Sequence, residues 1–438
     1  MPSTNAPARL VQAVVLAASL ASLSACRAPT PGAAPAVPAD PGAAPLAAPE
    51  DDASAAPTLG TAPGAVSTLS AGLAATVAAS LPAVPTPAAA DAGGTSLGPS
   101  FDGASAAPLP SAPDEPERYV THTTGMRGFD PQVDHQVAVW EQDGEGGWRQ
   151  LAGVTLSDID YLPEDDPAIA SPAPGLTWLG YSGGVGAHGG CFALVVWDGT
   201  ALSEALSHCA GSPGAGELVD LDGDGGPEVV LDQTDDYVFC YACGMKHFSF
   251  AAKAWDGAAL VDVSMEAPVV ASAVLQEAAR LGAAGLWRQA RLAFQTDDSP
   301  DGPTLAGALI SRHASAFADQ AASSPYPLLA HAFYGNYEAA LEPFRDVPMA
   351  DALRADGPLV AGTVAEGWEE SLAEWLERTT SAAVAAEPDL AAAWFLRGWA
   401  AQLANPASTA AREHVGRAAT LDPGEPLYAA AVEALVGG

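Results

Sequence analysis

Near Val269 the spacing of apolar residues changes period, and no other feature constrains the fold of this chain as strongly. Upstream, runs such as Val137-Ala138-Val139-Trp140, Phe192-Ala193-Leu194-Val195-Val196-Trp197 and Val229-Val230-Leu231 are bounded by glycine and aspartate turns, which predicts strands. Downstream, apolar residues return every third or fourth position, as one face of a helix requires. Strand and helix patterns segregated in this way predict a multidomain α+β protein. The expected parts are an antiparallel β domain over 118–265 and an α-helical array over 269–438.

Ahead of residue 118 the composition differs from both. Arg9 is followed by a run from Leu10 to Leu23 that is apolar or small throughout and too short to span a bilayer comfortably. The run ends in Leu23-Ser24-Ala25-Cys26, which resembles the lipobox of bacterial lipoproteins. That resemblance implies a signal peptide over 1–26, with Cys26 carrying thioether-linked diacylglycerol. Arg27 stands where such proteins carry aspartate when retained at the inner membrane, so the resemblance implies a cell-envelope protein of the outer membrane. From Ala28 to Glu117 there is no lysine or arginine, and Phe101 is the one aromatic. Such a segment buries too little apolar surface to offset the entropy of ordering it, so 27–117 is expected to be a disordered, proline-stiffened tether. The formal charge of −36 argues against nucleic acid and against a polybasic membrane contact, leaving the lipid as the route to the membrane.

Within the β domain, Trp140, Trp197 and Trp255 close similar strand runs 57 and 58 residues apart, which is an internal repeat. Asp198-Gly199 and Asp256-Gly257 follow the last two as hairpin turns. Three units are too few for a closed propeller, so an open or sandwiched antiparallel sheet is expected. The third unit contains Asp220-Leu221-Asp222-Gly223-Asp224-Gly225-Gly226-Pro227-Glu228. Alternate aspartates turned through glycines bring carboxylate oxygens to one point, as a hard cation requires. The loop is not an EF-hand, because the twelfth position, a bidentate glutamate there, is Leu231 here. It resembles the calcium loop of FG-GAP (VCBS) repeats, which implies that Asp220, Asp222, Asp224 and Glu228 bind a structural Ca2+. Ser157-Asp158-Ile159-Asp160-Tyr161-Leu162 looks like a degenerate copy that lost its glycines.

Beside Cys26, Cys191, Cys209, Cys240 and Cys243 form an even set with three possible pairings in an oxidising compartment. Cys191 and Cys209 lie symmetrically about Thr200, so a hairpin turning at Asp198-Gly199 brings them across from each other. Cys240 and Cys243 can bridge only where the chain turns, which Gly244 permits. A redox pair or a zinc site are the other readings of these cysteines. Gly180-Tyr181-Ser182-Gly183-Gly184, with His188 nearby, satisfies the Gly-x-Ser-x-Gly pattern of hydrolases. The nucleophile elbow needs a helix after the serine, and here the chain runs through glycines into the strand at Cys191.

In the helical part, Gly285, Trp287, Ala290 and Phe294 recur with identical spacing as Gly335, Tyr337, Ala340 and Phe344. Trp394 and Gly398, then Ala411, Val415 and Ala418, make a third helical hairpin, with Pro388 and Pro423 as closing prolines. This pattern resembles tetratricopeptide repeats. It departs from them at Arg397 and Ala401, in the 50-residue spacing of the first two copies, and at Pro343, which is expected to break a helix. Trp368, Leu372, Trp375 and Leu376 predict an amphipathic helix between them. The resemblance implies a protein or peptide partner for the helical repeats. The resulting expectation is a non-enzymatic envelope lipoprotein acting as a protein-binding or scaffold module. The competing expectation is an envelope redox or hydrolytic enzyme using Cys240 and Cys243 or a site in the sheet.

Overall fold

The computed structural model describes residues 100–111, 115–129, 132–142, 147–234, 236–266, 271–295 and 304–437. The segment expected to be a signal peptide, Cys26 and most of the segment expected to be a tether lie outside the described residues. The last part of the segment assigned to the tether is ordered, against expectation. β1 (Ser100–Pro108) runs antiparallel to β2 (Arg118–Met126), and Ala107 and Leu109 are buried in the core. Composition missed this strand because its stability comes from β2 rather than from its own side chains. Small Ala104 and Ala106 lie where Tyr119, Trp140 and Trp148 pack over them.

Two minimal strands follow, β3 (Gly128–Phe129) and β4 (Gln132–Val133). The larger sheet is completed by β5 (His135–Gln142), β6 (Trp148–Leu156), β7 (Tyr161–Leu162), β8 (Ala168–Ala173), β9 (Leu176–Val185), β10 (Gly189–Trp197) and β11 (Leu202–Ala210). Its order is β11-β10-β9-β7-β2-β5-β6, with β1 along β2 and β8 along β9. The pairings are antiparallel, and the outer strands β6 and β11 approach one another, so the sheet curls on itself. Val137 and Val139 of β5 and Ala193, Val195 and Trp197 of β10 alternate into its core with Val120, Leu179 and Tyr181. The tryptophan repeat is a repeat of hairpins: Trp140, Trp197 and Trp255 each lie on the first strand of one.

A second, four-stranded sheet has the order β12 (Gly216–Val219), β13 (Glu228–Asp232), β16 (Phe250–Trp255) and β17 (Leu260–Val263). Between β13 and β16 the chain makes a short hairpin of β14 (Asp236–Tyr237) and β15 (Lys246–His247).

The helices are α1 (Ala273–Ala283), α2 (Trp287–Gln295), α3 (Leu305–Ser323), α4 (Pro327–Tyr334), α5 (Tyr337–Arg345), α6 (Met349–Ala352), α7 (Glu369–Ala386), α8 (Ala391–Ala404), α9 (Thr409–Leu421) and α10 (Pro426–Gly437). Ser272, Thr304 and Ser408 cap α1, α3 and α9 by accepting backbone N–H bonds. Gly285 and Gly335, at φ 71° and 78°, take the left-handed turns that begin α2 and α5. The two turns stack: a Cβ on Gly335 would lie 2.9 Å from Leu286 Cα, and Gln289 Nε2 donates to the Gly335 carbonyl at 3.1 Å. Pro343 does not break its helix. It sits in the last turn of α5, while Ala340, Leu341 and Phe344 around it are buried. Among the described residues no helix is long and apolar enough to cross a membrane.

The β and helical parts share a core. Val238, Phe239 and Met245 of the β14–β15 hairpin are buried among residues of the helices. His313 and Gln320, seven residues apart on α3, bond the strand backbone. Phe250 N donates to His313 Nε2 at 3.1 Å, Lys246 N donates to Gln320 Oε1 at 3.0 Å, and Gln320 Nε2 donates to Lys246 O at 2.9 Å.

Candidate functional site

The β12–β13 connection gathers the acidic residues singled out above. Val219 pairs with Glu228, so residues 220–227 form a closed loop across the strand ends. Gly223 and Gly225, at φ 79° and 90°, turn it twice through backbone that side-chain-bearing residues avoid. Asp220 then accepts from Gly223 N at 2.8 Å and Gly225 N at 3.0 Å, and Asp224 accepts from Gly226 N at 2.6 Å. Carboxylate oxygens of Asp220, Asp222 and Asp224 lie within 4.8 Å of one another. Glu228, only 4 % exposed, stands outside that cluster of three and accepts from Leu221 N at 2.8 Å.

This arrangement is electrostatically costly. Burial, reinforced by Asp222, Asp224 and Asp220 against the opposing Leu221 hydrogen bond, pushes the Glu228 carboxyl up to about 7. Burial and the neighbouring Asp224 and Asp220 also raise Asp222. Among the described residues no ion pair reaches any of these four carboxylates.

The degenerate copy differs in this respect. Arg127 Nε lies 2.8 Å from Asp160 Oδ1, and its Nη1 lies 3.4 Å from Asp134 Oδ1 and donates to the Ser157 carbonyl. The other Asp160 oxygen accepts from Gly186 N at 2.8 Å. A guanidinium therefore gives Asp160 a positive partner from within the chain, while Asp158 accepts from Ser207 Oγ at 2.8 Å. Arg127 carries no local sequence signal. It reaches Asp160 because β2 pairs with β7, and Arg127 N donates to the Asp160 carbonyl at 2.7 Å.

All four remaining cysteines are bridged. Cys191 and Cys209 are direct cross-strand partners joined by a disulfide, with Cα atoms 4.0 Å apart. Cys240 and Cys243 close a 3₁₀ turn, Cα atoms 5.1 Å apart, ending in left-handed Gly244. The hydrolase-like serine is not at an elbow: β9 runs straight through Ser182 to Val185, and Ser182 Oγ donates to the Gly216 carbonyl at 3.2 Å. His188 instead lies against Tyr241, ring centres 4.7 Å apart.

No protein-family model matches the chain, and neither a curated protein nor a solved structure matches it significantly.

Proposed function

We propose that this chain is a non-enzymatic, lipid-anchored cell-envelope protein that holds or spaces a protein partner, with a structural calcium ion in the 220–228 loop. The lipobox-like segment ending in Cys26 supports the anchor and the outer membrane. The contrast between two acidic segments carries the calcium reading. In one, Arg127 pairs with Asp160; in the other, three aspartate carboxylates lie within 4.8 Å of one another, Glu228 feels their charge, and among the described residues no ion pair reaches any of the four. Asp220, Asp222, Asp224 and Glu228 are the hard oxygen donors that a calcium ion takes, and an ion there would tie β12 to β13. The stacking of the Gly335 turn on the Gly285 turn supports a tetratricopeptide-like array, whose usual role is to hold a peptide or protein.

Thermal denaturation of the full chain tests the calcium reading. Millimolar Ca2+ is expected to raise Tm over a chelator control, and Asp222→Ala to abolish the rise; an unchanged Tm in the parent rejects it. Photo-crosslinking from exposed Leu292 on α2 and exposed Trp368 just before α7, in intact envelopes, tests the partner. Discrete adducts are expected from at least one of the two positions, and their absence from both counts against a scaffold.

A further inference from the structure

The segment from β14 to β15 joins two environments. Its tip is exposed at Tyr241, Ala242 and Gly244, while Cys240 and Cys243 are half-buried. Its flanks are anchors: Val238, Phe239 and Met245 are 2 %, 3 % and 0 % exposed inside the helical core. Phe239 meets Tyr326 edge-on with ring centres 5.8 Å apart. Ser371 Oγ, at the start of α7, donates to the Val238 carbonyl at 2.5 Å, and Ser324 Oγ lies 2.7 Å from Met245 Sδ. Val238 N donates to the Met245 carbonyl at 3.1 Å, so both anchors enter the core only while the residues between them stay tightly folded. Within that turn, Cys243 N donates to the Cys240 carbonyl at 3.0 Å, and the Cys240–Cys243 disulfide closes it covalently.

We propose that Cys240–Cys243 is a thiol–disulfide exchange site for a dithiol reductant, and that its reduction releases the β14–β15 hairpin from the helical core. A thiolate of the reductant attacks Sγ of Cys240, because Cys243 packs against the helical core. Cys243 leaves as a thiolate and takes up a proton. The second thiol of the reductant then resolves the mixed disulfide, so the reductant becomes a disulfide and the protein gains two thiols. The freed turn loses its covalent closure and keeps only backbone hydrogen bonds, so the anchors on either side of it are held to one geometry less tightly. The hairpin is the part of the β region that α3 and α7 grip through Gln320 and Ser371, so its release loosens the two parts from each other.

The test uses the full chain, treated with increasing dithiothreitol without denaturant, then alkylated and mapped by mass spectrometry alongside amide hydrogen exchange. Cys240 and Cys243 are expected to become alkylated while β5 stays protected. In that species exchange over 236–248 and at the facing parts of α3 and α7 is expected to rise at least about threefold. The double variant Cys240→Ser/Cys243→Ser, under oxidising conditions, is expected to exchange like the reduced parent. Resistance of this pair to reductant until β5 also unfolds overturns the proposal. So does a rise of less than about threefold in the reduced parent, which needs no variant to fold.

Discussion

Glu228 is placed where a carboxylate is costly, almost wholly buried and within the field of three aspartates. Its carboxyl is pushed up to about 7, so near neutrality the folded chain binds a proton that the unfolded chain does not. For an acid shifted upward, stability is fully present below the unfolded value and is lost as pH rises through the folded one. Without calcium, this group therefore destabilises the protein progressively from about pH 4.5 to above 7. Glu228→Gln keeps an acceptor for Leu221 N and removes the charge. In chelator at pH 8 the variant is expected to melt about 2–4 °C above the parent, with the gap closing at pH 5, and it should lose the response to calcium. Parallel pH series of thermal melts check this; an equal gap at both pH values would mean that Glu228 is ionised in the fold throughout. The three clustered aspartates were legible in the sequence because their spacing is local. Arg127, which gives Asp160 its positive partner, was not, since only strand pairing brings it there.

The elements show the same division between local and paired signals. The hairpin turning at Asp198 was legible, because Asp198 Oδ1 accepts from Thr200 N and Ala201 N within the turn itself. What puts Cys191 opposite Cys209 also includes a bulge between Leu194 and Val195, which no composition rule marks. β1 was missed because its partner strand supplies what its alanines and serines lack. Among the helices, glycine spacing proved informative where backbone meets backbone. At Gly398 on α8 an added Cβ would lie 2.5 Å from Val415 Cγ2 and 3.0 Å from the Ala411 carbonyl on α9. Gly398→Ala therefore forces α8 and α9 apart despite improving helix propensity. A loss of about 1–3 kcal/mol is expected in urea unfolding. Gly416→Ala, on the other helix of the pair with nothing near its Cβ, is the matched control and should be neutral or slightly stabilising.

At the scale of the molecule, the helical part is stabilised by the strand part that precedes it. Period analysis separated the two parts but could not show that Phe239 and Met245 belong to the helical core, because the residues that receive them lie some 80 or more positions later. His313 joins the parts from the helical side. It is 3 % exposed, stacks on Trp287 at 4.8 Å, and accepts from Phe250 N through Nε2 while Nδ1 lies 2.9 Å from the Leu309 carbonyl. A carbonyl can only accept, so Nδ1 carries the proton and the ring is neutral. Burial, helped by Arg312 and opposed by the Leu309 hydrogen bond, holds its pKa below the ordinary histidine value. For a base shifted downward, stability is present above the unfolded pKa and is lost as pH falls below it, here from about 6.5. Acid should therefore weaken the joint between the parts, since a second proton on His313 removes the acceptor for Phe250 N. His313→Phe fills the ring's place, costs about 1–3 kcal/mol at pH 7 by leaving that amide unpaired, and cannot titrate. Its unfolding free energy should fall less steeply than the parent's between pH 6.5 and 5, by up to about 1.4 kcal/mol per pH unit, so the two curves converge in acid. His122 and His135, whose pKa values burial also lowers, remain in both proteins and leave a shared slope. Parallel slopes in parent and variant would show that His313 takes its proton without leaving Phe250, and the joint would then owe its hold to Gln320 and the buried hairpin.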